Sequence, residues 1–119
     1  MHNFKRLAIW QRSMDLVTRI YFLTLQYPKS EIYGLTSQTR RAATSVPLNI
    51  SEGAAKSSDK DFARFLEMAI GSANELETAL IVAKNIQFIT EDTFIPFENE
   101  IIEIRKMITK FIKNLRTEE

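Results

Sequence analysis

Apolar residues recur at helical spacing over most of the chain. Between Leu7 and Gln26 one stripe reads Trp10, Met14, Val17, Tyr21 and a second reads Ile9, Leu16, Ile20, Leu23, which predicts a first helix over about 7–26. Pro28 ends it, since the ring and the missing N–H oppose continuation and disfavour helical geometry at Tyr27. Phe22 falls among polar residues on the outward side and is a candidate partner contact. Ser30 is a candidate cap and Gly34 a turn before a second helix over about 35–55, where Leu35, Ala42, Val46, Ile50 and Ala54 share a side.

Ser58 followed by Asp61 forms a capping-box pattern that opens a third helix over about 59–88, carried by Phe62, Leu66, Ala69, Ala73, Leu76, Leu80 and Ala83. Gly71 lies inside it at a cost of about 1 kcal/mol relative to alanine, for which tight helix packing is the expected reason. With Thr93 as cap, a fourth helix over about 94–116 reads Phe94, Phe97, Ile101, Ile104, Ile108, Phe111, Leu115, broadened by Ile102, Met107 and Ile112. Four helices with short connections predict one all-α domain over 1–119, an up-down-up-down antiparallel four-helix bundle. Residues 39–54 around Pro47 continue the apolar spacing of helix 2, so the proline predicts a kink there, with two helices broken at Val46 as the alternative. Thr44, Ser45 and Ser51 are the expected partners for the carbonyl that Pro47 frees.

Composition narrows the chemistry. With 119 residues, no cysteine and one histidine, the chain has no thiolate zinc site, no cysteine nucleophile and no histidine-based triad if His2 sits in a mobile terminus. No P-loop or dinucleotide fingerprint is present. Glu52, Glu67, Glu75 and Glu77 could meet as a carboxylate cluster, but the di-iron pattern needs Glu-x-x-His pairs that are missing, so no metal and no cofactor is expected. The sequence gives no sign of an enzyme or of a small-molecule substrate. Neither an export signal nor a membrane span is visible, which predicts a cytoplasmic protein and makes the Asn49-Ile50-Ser51 sequon a chance match.

Residues 1–60 carry a net charge of +5 and residues 61–119 carry −4, within an overall +1. Halves of opposite sign are expected to neutralise each other within the fold or between subunits. A basic face of the first half remains the alternative, with Arg12, Arg19, Arg40, Arg41, Lys56, Lys60 and Arg64 as candidate nucleic-acid contacts. The doubled apolar stripes of helices 1 and 4 exceed what one subunit's core needs, which predicts self-association, with Phe22, Ile102 and Ile112 as candidate interface residues.

The stretches "LAIWQRSMDLV", "YPKSEIYGLTSQTRRAATSVPLNISEGAAKSS" and "FARFLEMAIGSANELET" resemble, in order and spacing, the four helix bundle proteins grouped with the 23S rRNA intervening-sequence proteins. Trp10, Gln38, Arg41, Pro47, Asn49, Glu52 and Gly53 occupy signature positions of that family. The resemblance implies a ring-like homopentamer and no catalytic activity. Related accessory proteins of diversity-generating retroelements bind nucleic acid and a reverse transcriptase through a strongly basic surface. The nearly balanced charge of this chain departs from theirs.

Overall fold

A computed structural model describes residues 1–117. Among them the long elements are four helices: α1 (Ala8–Thr24), α2 (Leu35–Ala54), α3 (Asp59–Asn85) and α4 (Glu91–Thr117), with 3-10 turns at Phe4–Arg6 and Lys29–Glu31. The protein is an all-α four-helix bundle about 47 Å long. Each helix packs on the next, α4 closes on α1, and no diagonal pair touches. Neighbours meet with their numbering in opposite senses: Arg40 reaches Thr24, Ser45 meets Ser72, Arg105 meets Asn74 and Arg12 meets Glu100.

One apolar core runs through all four helices. From α1 it takes Ile9, Leu16, Ile20 and Leu23; Met14 and Tyr21 of the other stripe stay exposed. α4 contributes Phe94, Phe97, Ile101, Ile104, Ile108, Ile112 and Leu115. Ile112, expected as an interface residue, is therefore a core residue, 6% exposed. A straight helix drifts roughly 20° per heptad against a strict seven-residue repeat. By the last turns of α4 that drift favours position 112 over 111, and Phe111 packs instead on the rings of Phe62 and His2 at 5.4 and 6.1 Å.

The helix ends explain the boundary shifts. Ser58 caps α3 through the Asp61 N–H at 3.1 Å, as its spacing predicts. α3 ends at Asn85, where Phe88 N–H donates to Ala83 O and Gln87 N–H to Lys84 O, with Gln87 at φ 67°: a Schellman motif. Thr90, rather than Thr93, caps α4, because the Thr93 N–H donates to Thr90 Oγ1 at 3.1 Å. The helix starts three residues earlier than expected, and Pro96 lies in its second turn. At the start of α2 the Leu35 N–H donates to the Glu31 carboxylate at 2.9 Å, so Glu31 takes the role expected of Ser30.

α2 runs through Pro47 as one helix, so there is no break at Val46. None of the flanking hydroxyls serves the Ala43 carbonyl: Thr44 donates to Arg40 O, Ser51 to Leu48 O, and Ser45 pairs with Ser72. His2 is likewise anchored. Its backbone N–H donates to Ala54 O at 2.9 Å, one of the carbonyls left over at the end of α2, and its ring lies 4.9 Å from that of Phe62.

Candidate functional site

Six of the seven signature residues lie on α2, and Trp10 lies on α1. Asn49 Nδ2 donates to Ser45 O at 2.9 Å and to Ser45 Oγ at 3.0 Å. Ser72 Oγ donates to Met68 O at 3.2 Å, so its single hydrogen is used and the 2.7 Å contact between the two serines is Ser45 donating to Ser72. This chain of bonds fixes the register of the two helices where Ala42 and Ala73 bring them close. Farther along, Gly53 fits under Phe62 and Phe65. Pro47, Asn49 and Gly53 therefore act on packing, and Trp10 does so too, edge-on to Phe4 at 5.2 Å.

Gln38 and Arg41 do something different. With Ser45, Glu75, Glu31 and Tyr33 they line an open groove of about 830 Å³ on the outside of α2 and α3. The groove carries both charge signs and no histidine or cysteine, so it offers contacts rather than a nucleophile with its base. Glu52 is exposed one turn beyond the Asn49 network.

The seven basic candidates do not form one face. Arg12 grips Glu100 of α4 with two bonds, 2.5 and 3.1 Å, and that hydrogen bonding raises its pKa against the opposing effect of burial. Arg19 lies 5.1 Å over the Phe97 ring and 4.0 Å from Asp15. Arg40 donates through Nε to Thr24 Oγ1 at 2.8 Å and stacks over Tyr21. Arg41 is exposed in the groove just described. Lys56 and Arg64 each lie 4.9 Å from the Phe65 ring, and Lys60 is exposed one turn before Arg64. Only these last three come together.

A basic stripe absent from the candidate set lies on α4. Lys106, Lys110 and Lys113 are exposed at spacings of four and three beside Ile102, and among the described residues none of the three has a salt-bridge partner. The spacing within "RKMITKFIK" is the signal for it, masked by the acidic balance of the second half. Its neighbours Arg105 and Arg116 are neutralised by Glu77 and Glu67 across the α3–α4 seam. Only the Lys113 end of the stripe approaches the end of the bundle that holds Lys56, Lys60 and Arg64: Arg116 meets Glu67 near the start of α3, whereas Arg105, beside Lys106, meets Asn74 and Glu77 at mid-helix.

The carboxylates do not converge. Glu67 and Glu77 are held by those arginines, and Glu52 and Glu75 are exposed. Among the described residues no group of three or more acidic or histidine side chains is placed to hold a metal ion. No described helix is long and apolar enough to cross a membrane.

Of the interface candidates other than Ile112, Phe22 is 67% exposed and Ile102 is half-buried. Sequence reasoning missed the neighbours of Phe22. Met14, Tyr21 and Leu25 are also exposed, on one side of α1 that carries the exposed Thr18 between Met14 and Tyr21 and where Arg40 stacks on Tyr21.

The family model for the 23S rRNA-intervening sequence protein matches residues 5–110. A crystal structure of a protein of unknown function from the S23 ribosomal protein family of Bacteroides thetaiotaomicron VPI-5482 superposes with a TM-score of 0.82 at 27% identity, covering 89% of this chain and 99% of that one. No curated protein shows significant similarity to the chain.

Proposed function

Because the chain belongs to the 23S rRNA-intervening sequence protein family, we propose that it is a non-enzymatic cytoplasmic scaffold that works as a self-associated bundle. The number of subunits in this reading is five, as the family resemblance implies. The observation that supports it lies on α1. Met14, Tyr21, Phe22 and Leu25 are exposed on a protomer whose core is already closed by Ile9, Leu16, Ile20 and Leu23. Exposed apolar side chains on one side of a helix are what a subunit contact buries, and each large one contributes about 1.5–3 kcal/mol when covered.

Light scattering coupled to size exclusion tests it. The expected mass at micromolar concentration is five times the 13.8 kDa protomer, and the double variant Tyr21→Asp, Phe22→Asp runs as a folded monomer with unchanged helical circular dichroism. A wild-type monomer under these conditions refutes the reading.

Binding of RNA or DNA is the second reading, and one observation favours it: the exposed α4 stripe of Lys106, Lys110 and Lys113, which has no salt-bridge partner among the described residues. In this reading Arg12 and Arg19 contribute little, since Arg12 is paired with Glu100 and Arg19 lies over the Phe97 ring beside Asp15. Filter binding against rRNA fragments decides it. Retention that falls steeply with salt and is lost in Lys106→Gln, Lys110→Gln, Lys113→Gln supports it, and no retention at low salt excludes it.

A further inference from the structure

We infer that the corner between the end of α1 and the start of α2 is a binding site for a small organic carboxylate with an apolar body. The site is a cavity of about 400 Å³ lined by Thr24, Leu25, Tyr27, Ile32, Thr36 and Arg40, with Lys29 at its edge.

Arg40 carries the inference. Its guanidinium is half-buried, and among the described residues no carboxylate lies within salt-bridge distance of it. It is nevertheless held in place. Nε donates to Thr24 Oγ1 at 2.8 Å, the Thr24 hydroxyl hydrogen is directed to Ile20 O at 2.8 Å, and the Tyr21 ring lies 4.7 Å below the guanidinium carbon. Nη2 also donates to the Tyr21 carbonyl at 3.5 Å. A half-buried cation costs free energy unless an anion compensates it, and Nη1 with the remaining Nη2 hydrogen is left to take a carboxylate. Two further observations coincide at the same corner. Leu25 and Ile32 are exposed apolar walls, 70% and 47% respectively, which a hydrocarbon body would cover. Tyr27, 5% exposed, also lines the cavity. An apolar cleft with the hydroxyls of Thr24 and Thr36 and two cations, Arg40 and Lys29, that have no salt-bridge partner among the described residues has the chemistry of a site for a small amphiphilic anion. The volume lies within the range of such sites, and a chain of roughly eight carbons is a suitable body for it.

A heteronuclear NMR titration of the protein in its native assembly, with octanoate and with octanol as the neutral control, tests the inference. The expected result is saturable shifts of the Thr24, Leu25, Ile32 and Arg40 amides with octanoate, and binding of octanol weaker by about tenfold, the difference one charge-assisted pair makes. Arg40→Gln should bring octanoate down to the octanol affinity, Arg40→Lys should keep part of the preference, and Ile32→Asp should abolish both. Equal affinities for the two probes in the wild type overturn the inference without recourse to any variant. So does octanoate that shifts only the Lys106–Lys113 amides, or no saturable shift at millimolar probe. Leu25 belongs to both surfaces; the probe comparison reads amide shifts and light scattering reads mass, so failure of this site is told apart from failure of the assembly.

Discussion

Gly53 of α2 lies so close to Phe65 of α3 that a Cβ at position 53 would stand 2.8 Å from the Phe65 Cβ and 2.9 Å from the Phe62 ring. Both obstacles are the near parts of buried side chains, and Phe62 O follows at 3.3 Å, so the neighbours have little room to give. The family signature at Gly53 is thus a packing requirement: the α2–α3 corner closes only where one helix has no side chain. The same corner holds Phe65 between Lys56 and Arg64, which couples its packing to the basic end of the bundle.

The first prediction concerns that corner. Gly53→Ala should destabilise the protein by about 2 kcal/mol, the cost of overpacking outweighing the gain in helix propensity. Urea denaturation followed by circular dichroism measures it, and a variant as stable as the wild type would show that the corner yields.

Gly71 predicts the opposite. It was expected to mark a close helix approach, yet a Cβ built there meets nothing within 4 Å and the residue is exposed. Within the protomer its only effect is the loss of helix propensity, so Gly71→Ala should stabilise the bundle by about 1 kcal/mol. The same urea measurement checks this, made at concentrations where the assembly state of variant and wild type is identical.

Tyr27 links structure to pH. Burial pushes its phenol up to about 12, with the hydroxyl unpartnered. In the unfolded chain a phenol ionises near its ordinary value of about 10, so the folded protein holds this proton over a wider range. The resulting stability is complete below pH 10 and is lost as pH rises to about 12, an effect on the order of 2–3 kcal/mol. Tyr27→Phe should be close to neutral at pH 7, because an orphaned hydroxyl is removed with its shape kept, and it should abolish this part of the alkaline loss. Denaturation midpoints of wild type and variant at pH 8, 10, 11 and 12 give the comparison; parallel curves would refute it.

The site was legible in the sequence only in part. The signature positions were found from their order, but Pro47, Asn49 and Gly53 turned out to act on packing, and Gln38 and Arg41 alone among them line an open groove. The Arg40 cavity could not be read, because Thr24, Ile32 and Arg40 lie at three separate places in the chain and meet only when α1 and α2 fold back on each other. The basic stripe on α4 was hidden by counting charge along the chain. Only Arg12 with Glu100 pairs across the two halves; the acids Glu77 and Glu67 of α3 pair with Arg105 and Arg116 of the same half, while Lys106, Lys110 and Lys113 are left outside.

What the sequence determined by itself is local. Helix number, the cap at Ser58 and the stop at Pro28 follow from backbone chemistry within a few residues, and the 3.6-residue period follows from the α-helix whatever surrounds it. Choosing between two stripes on one helix is a different kind of question. Trp10-Met14-Val17-Tyr21 and Ile9-Leu16-Ile20-Leu23 are both regular, and only the surfaces offered by α2 and α4 made the second the core of α1. The same competition buried Ile112 and turned Phe111 toward His2. Periodicity fixes that a face is apolar, but burial depends on what the neighbouring helices bring to it, and that is a property of the packed bundle alone.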